Sequence, residues 1–156
     1  MSKVAPIRRY LPQDAWIRDP DNYIVIVGCS RLSVRIARQY QQEGRRFIIV
    51  NEEEPLLSIL PSSLNDNLLV GDPTNDEVLK EAGIETATAL LALSDNESLN
   101  IIMGLIARKI YNIPKVIIKV YDDSKAALYA GTGVDTISPV DLAAQAIDSL
   151  ITKSAE

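Results

Sequence analysis

An apolar run from Tyr23 to Val27 leads directly into Gly28-Cys29-Ser30-Arg31-Leu32-Ser33 and then into an amphipathic stretch. A glycine turn between a strand and a helix can hold phosphate, because the helix start presents free backbone N–H groups and the positive end of the aligned peptide dipoles. In the full three-glycine pattern, the first glycine makes the tight turn and the second lets the main chain approach a pyrophosphate. The third lets the helix pack closely on the sheet. Here Gly28 keeps the first position, while Ser30 and Ser33 stand at the second and third. Ser30 crowds the place of closest phosphate approach but brings a hydroxyl that can bond a phosphate oxygen. Arg31, in the first helical turn with Leu32, offers a guanidinium to the same anion. Arg35 and Arg38 recur at helical spacing after it and read as a solvated basic face.

The second apolar run ends at Asn51-Glu52, where dinucleotide-binding folds place an acidic residue on the ribose hydroxyls. Asn51 can still bond a hydroxyl, less strongly than a carboxylate. Glu52 can serve in its place, although Glu52-Glu53-Glu54 reads first as the solvated start of a helix. The sequence has no histidine, which removes Ser-His-Asp and Cys-His catalysis and the commonest transition-metal ligand sets. No catalytic and no metal-ligating residue is therefore assigned. Cys29 is the one cysteine, so an internal disulfide or a zinc cluster is excluded and a reducing cytosol suits the chain. With Arg31 as the only basic neighbour, Cys29 reads as structural filler rather than a redox sensor.

These residues need a scaffold. The chain has 156 residues, 47% of them hydrophobic and 24% charged, the make-up of a soluble globular domain. Short β-branched runs at Tyr23–Val27, Phe47–Val50, Leu68–Val70, Ala89–Leu93, Val116–Val120 and Asp135–Ile137 alternate with longer amphipathic stretches, as repeated βαβ units do. The runs are continuous rather than alternating, so the sheet is expected to be parallel and covered on both faces. The fold class is α/β: a Rossmann-like, doubly wound parallel sheet of about six strands in a three-layer αβα sandwich. Gly44 is expected to close the first helix and Gly83 the third, and Ser94-Asp95-Asn96-Glu97 has the form of a capping box. Residues 1–22, with three prolines and no sustained apolar period, read as an irregular arm. No apolar run is long enough to cross a bilayer, and no cleavable signal is expected. A net charge of −5 argues against a nucleic-acid partner.

Several segments together, Tyr23-Ile-Val-Ile-Val-Gly-Cys-Ser-Arg-Leu32, Val70-Gly-Asp-Pro-Thr74, Leu79-Lys-Glu-Ala-Gly-Ile84, Asp95-Asn-Glu-Ser-Leu-Asn100 and Val134-Asp-Thr-Ile-Ser-Pro139, resemble the TrkA N-terminal domain, also called the RCK domain. The resemblance covers residues 23–153. It implies a cytoplasmic regulatory subunit that gates a potassium channel or transporter in the membrane and assembles into a homo-oligomeric dimer or larger ring, with or without a companion RCK subunit. It also implies an adenine nucleotide, ATP, ADP, AMP or NAD(H), in the cleft formed by the glycine turn, the second strand end and the Gly-Asp segment. Carried over by position, the binding residues are Gly28, Ser30, Arg31 and Leu32, then Asn51 and Glu52, then Asp72, with Lys119 in place of the arginine usual near the end of the fifth strand. The family's smaller C-terminal lobe is expected to be absent from this chain.

Two stretches support self-association. The helix from Asn96 to Ile110 is apolar nearly all round, and the one from Val140 to Ile151 carries Ala143, Ala146, Ile147, Leu150 and Ile151 on one broad stripe. The family uses the former, with the segment near Ser124 to Ala130, for ring assembly, and passes the latter to a neighbouring subunit. Two other functions compete with the nucleotide sensor. One is a ligand-free assembly subunit serving a nucleotide-binding paralogue. The other is an NAD-dependent oxidoreductase, for which Tyr111…Lys115 and Tyr121…Lys125 have the spacing of a proton-donor pair; Pro114 breaks the first, and the second spans a strand end. A non-enzymatic role is expected.

Overall fold

The computed structural model describes residues 22–56 and 58–154, and the arm expected over residues 1–22 lies outside them apart from Asn22. Each apolar run forms a strand: β1 (Ile24–Val27), β2 (Phe47–Asn51), β3 (Leu68–Val70), β4 (Ala89–Ala92), β5 (Lys115–Lys119) and β6 (Val134–Ile137). All pair in parallel in the order β3-β2-β1-β4-β5-β6. The chain starts at the centre, builds outward to β3, returns to β4 and builds outward again to β6. This is the doubly wound arrangement, and its order reverses between β1 and β4. A crevice opens at the C-terminal strand ends at that point.

The continuous apolar runs follow from burial on both faces. Val25, Val27, Ile48, Val50, Leu90 and Val116 belong to one core with Leu79, Met103 and Ala107. Their neighbours Ile24, Ile26, Phe47, Ile49 and Leu91 belong to the opposite core with Val34, Ala37 and Leu64. Successive side chains of a strand point to opposite faces, so a sheet sandwiched between helices needs apolar residues at every position.

Among the described residues the α-helices are α1 (Arg31–Glu43), α2 (Asp76–Glu81), α3 (Glu97–Lys109) and α4 (Pro139–Ser154). Among its described residues the β2–β3 connection holds a 3-10 helix, Ser62–Asn67, and no α-helix, so the helix ahead of Gly83 is the second described α-helix and not the third. Gly44 and Gly83 adopt φ of 70° and 85°, the left-handed stop that favours glycine. The segment near Ser124 to Ala130 is likewise a 3-10 helix, Asp123–Tyr129.

The cap of α3 differs from expectation. Asn96, not Ser94, is its N-cap, with the side chain accepting from the Leu99 amide at 3.1 Å. Ser94 stays in the strand exit, where its hydroxyl donates to the buried Asn100 side chain at 2.7 Å. A Ser-x-x-Glu pattern marks a capping box only when the serine has no stronger buried partner, and here it has one. The inner face of α3 carries Asn100, Met103, Gly104 and Ala107, while Ile102 on the outer face stays 47% exposed. A Cβ on Gly104 would lie 2.6 Å from Ile118 Cγ2, so this glycine sets how closely α3 lies on β5. In α4 every residue from Leu142 to Lys153 is exposed, including Ile147, Leu150 and Ile151.

Candidate functional site

A helix start leaves four backbone amides without intrahelical partners. In α1 two of them are satisfied by side chains: Ser30 N donates to Ser33 Oγ at 2.7 Å, and Ser33 N donates to Ser30 Oγ at 3.1 Å. The two serines that replace glycines are therefore a reciprocal capping box. The Ser30 hydroxyl, expected from the sequence to bond a phosphate oxygen, instead donates to the Leu93 carbonyl at 2.6 Å and ties α1 to the exit of β4. The Ser30 residue is 3% exposed. What remains for a ligand at this helix start are the Arg31 and Leu32 amides.

Beneath them, Gly28 has φ of 100°, and a Cβ there would lie 2.5 Å from Ser94 Cβ and 2.6 Å from Ser94 Cα. Both the turn and the close approach of the β1 and β4 exits require glycine. Asn51 braces the same turn from β2. Its Oδ1 accepts from the Cys29 amide at 3.1 Å and its Nδ2 donates to the Glu53 carbonyl at 2.7 Å. Cys29 is half-buried, and burial pushes its thiol up to about 11, which keeps it protonated and unreactive at neutral pH.

Across the crevice, Asn100 is fully buried and joins two strand exits. Its Oδ1 accepts from the Ser94 amide at 2.9 Å, and its Nδ2 donates to the Ser94 and Lys119 carbonyls at 2.9 and 3.0 Å. Lys119 Nζ lies 2.9 Å from Asp95 Oδ1, with the lysine side chain 15% exposed and the aspartate 84%. Next to this, Glu97 accepts from the Tyr121 amide at 2.9 Å and from Lys125 Nζ at 2.6 Å. The Lys125 contact first, and then the amide, hold its carboxyl below the usual carboxylate range.

Between these walls lies a cleft of about 840 Å³. Arg31, Arg35 and Arg38 line it along α1, Ser58 and Ile59 close one side, and Asp95, Lys119 and Pro139 form the far wall. Among the described residues, none of the three arginines forms an ion pair. A space of this size at the topological switch point, lined by the start of α1 and by three arginines, can take a phosphorylated ligand of nucleotide dimensions.

The comparisons with known proteins bear on this crevice. The TrkA-N domain model matches residues 24–139. The chain belongs to the TrkA-N domain family. It is 30% identical over 118 residues to the Trk system potassium uptake protein TrkA of Streptomyces coelicolor, covering 76% of this chain and 53% of that protein. The chain thus spans about half the length of this TrkA relative. Among solved structures, the GsuK channel bound to NAD superposes with a TM-score of 0.74 at 20% identity, over 86% of this chain and 24% of that one. The Kef C-terminal domain of Shewanella denitrificans in its AMP-bound form gives 0.65 at 20% identity, over 84% and 81%. At such identities the structural likeness establishes the fold alone.

Within this TrkA-N domain, the sequence-predicted binding residues fall into three groups. Ser30, Arg31, Leu32 and Lys119 line the cleft together. Gly28 and Asn51 stand behind its floor as the turn and its brace. Glu52 and Asp72 are exposed and do not line it. Asp72 instead accepts from the Thr74 hydroxyl and amide at 2.7 and 2.9 Å, contacts that lower its pKa and cap the turn after β3.

Two cleft residues were read from sequence only as a solvated stripe: Arg35 and Arg38. Their i+4 and i+7 spacing from Arg31 was the available signal, since any residue at those positions shares a face with the first turn. Asn100 was missed as a structural residue; a lone amide among Leu99, Ile101, Ile102 and Met103 was its signature. The Tyr–Lys pairs do not form a reaction centre. Tyr111 donates to Asp76, and burial first, with that contact second, pushes its hydroxyl up to about 12. Its partner Lys115 pairs with Asp135 at 3.0 Å, and Lys125 pairs with Glu97.

Among the described residues, no helix is long and apolar enough to cross a membrane.

Proposed function

We propose that this TrkA-N domain is a cytoplasmic regulatory module of a potassium channel or transporter. It binds an adenine nucleotide in the β1–β4 crevice and acts on its membrane partner through an assembly of several copies. The observation that carries the reading is the cleft itself: three arginines that form no ion pair among the described residues line one space at the switch point, together with the Arg31–Leu32 start of α1. The NAD-bound and AMP-bound states of the two structural relatives support an adenine nucleotide as the ligand. The TrkA and channel names of the relatives support potassium transport as the setting, and no enzymatic turnover is assigned.

Assembly is supported by two surfaces that complement each other. On the α1 side of the sheet, Ile117 of β5 and Ile137 of β6 are only half-buried. Meanwhile α4 holds Val140, Leu142, Ile147, Leu150 and Ile151 at exposures from 52% to 65%. Leaving such side chains wet forgoes roughly 1.5–3 kcal/mol for each that could be fully buried. A second copy would cover both. Gating then follows from differential affinity: a nucleotide shifts the assembly only as far as it prefers one arrangement over another.

Calorimetric titration of the 156-residue chain with ATP, ADP, AMP, NAD+ and NADH tests the sensor reading. Saturable heat from any of them is expected. Silence from all would transfer the assignment to a ligand-free assembly subunit, a reading favoured by the self-satisfied Ser30–Ser33 box. Light scattering over a range of concentrations tests assembly, and a strict monomer at the highest concentration would remove that part.

A further inference from the structure

Three guanidiniums on one wall of the cleft need an explanation. In a solvated helix face, acidic and basic residues normally interleave and pair at i,i+4. Helix α1 does not follow that pattern. Its one carboxylate, Glu43, lies at the far end and is held by Arg45 at 2.9 Å and Gln39 at 2.9 Å. This occurs in a chain with 21 acidic against 16 basic side chains, where carboxylates are in surplus. Arg31, Arg35 and Arg38 nonetheless line one cavity, and none forms an ion pair among the described residues.

The groups that would read the rest of a nucleotide are engaged elsewhere. Both ends of the Asn51 amide brace the glycine turn, and Asp72 is turned onto Thr74. Two of the four amides at the α1 start are taken by the capping box. Lys119 is matched by Asp95. Recognition of a ribose diol is thus weak in this cleft, and main-chain recognition of phosphate is halved, while side-chain positive charge is increased. The helix rise puts Arg35 about 6 Å and Arg38 about 10 Å beyond Arg31 along α1, a row longer than one phosphate can span.

We propose that Arg35 and Arg38 are specificity-determining residues which, continuing from Arg31, make the crevice select its ligand by phosphate charge and favour a nucleoside polyphosphate over a monophosphate or a dinucleotide. This rests on the nucleotide reading above and adds the ligand class to it. Guanidinium forks match phosphate oxygens in pairs, so each further phosphate gains contacts that a single phosphate cannot make. The preference weakens as salt rises, because the arginines are exposed.

The test is isothermal titration of the full chain with AMP, ADP, ATP, NAD+ and inorganic tripolyphosphate, repeated on Arg35→Gln/Arg38→Gln and on Lys109→Gln as a control that removes one positive charge outside the cleft. ATP is expected to bind about tenfold or more tightly than AMP, with ADP between. The double variant is expected to cut the ATP-to-AMP affinity ratio about fivefold, while the Lys109 variant keeps it. Equal affinity for ATP and AMP in the native chain overturns the proposal and leaves the nucleotide reading standing. A native ratio in the double variant removes Arg35 and Arg38 from the assignment. Tripolyphosphate binding as tightly as ATP supports selection by charge and overturns the adenine reading. No binding by any of the five overturns both.

Discussion

On the β4 side of the crevice, Asn100, Ser94, Asp95, Lys119, Glu97 and Lys125 bond one another and the strand exits. On the β1 side, three arginines face the same space with no carboxylate within ion-pairing distance among the described residues. Both walls grow from equivalent places, the first turn after a central parallel strand. One wall is complete without a ligand and the other is not. The difference separates what holds the crevice open from what would fill it: changes on the β4 side should register as stability, and changes on the α1 wall as affinity.

The sharpest way to break this division is at the floor the two walls share. Gly28→Ala puts a methyl group 2.5 Å from Ser94 Cβ at a φ of 100°. It should destabilise the domain by about 3–5 kcal/mol, seen as a lower urea midpoint in circular dichroism. A cost under about 1 kcal/mol would mean that the two exits can part easily, and the comparison would fail at its base. Next is Asn100→Leu, which leaves the Ser94 amide and the Lys119 carbonyl buried without this partner. About 2–4 kcal/mol of stability should be lost, with faster amide exchange at Ser94 as the local readout.

A smaller effect is expected where the walls touch. Ser30→Gly restores the second glycine of the motif but removes the cap and the 2.6 Å bond to the Leu93 carbonyl. Thermal melts should report a loss of about 1–2 kcal/mol. The same variant frees the Ser33 amide, so nucleotide affinity should rise even as stability falls; a parallel fall in both would place Ser30 in ligand binding. The smallest effect is electrostatic. Glu97 has a folded-state pKa below its unfolded value, so its contribution is fully present above the unfolded pKa of about 4.3 and is lost as pH falls through the lower folded value. Melting temperature should therefore decline below about pH 4.5, and Glu97→Gln should make that decline shallower. An unchanged acid profile in the variant would show that the Lys125 contact contributes nothing to folding.

Most of the scaffold was legible in the residues. Runs such as Ile24–Val27 and Phe47–Val50 are apolar at every position, and only a doubly covered sheet makes use of that. Gly28, Gly44 and Gly83 marked turns that only glycine adopts readily, and all three have positive φ. What could not be read was who partners whom. Ser30 and Ser33 looked like eroded glycines because a motif is read position by position, whereas their value lies in bonding each other and Leu93, sixty-three positions away from Ser30. Ser94 and Asn96 competed for the α3 cap, and the buried partner that decided it, Asn100, lies six residues past Ser94. Arg35 and Arg38 had helical spacing whether they faced bulk water or a cleft. Periodicity names a face and is silent on what stands opposite.

The two outermost strands carry a consequence for how copies of this domain can meet. β3 has three residues, and β6 has four and carries the exposed Asp135, paired with Lys115 of β5 at 3.0 Å. Brief edge strands and a charged residue on one of them both discourage a neighbouring backbone from adding to the ladder. Copies are thereby steered away from fusing into one continuous ribbon and toward meeting through side chains, contacts that can slide or tilt without breaking a row of main-chain bonds.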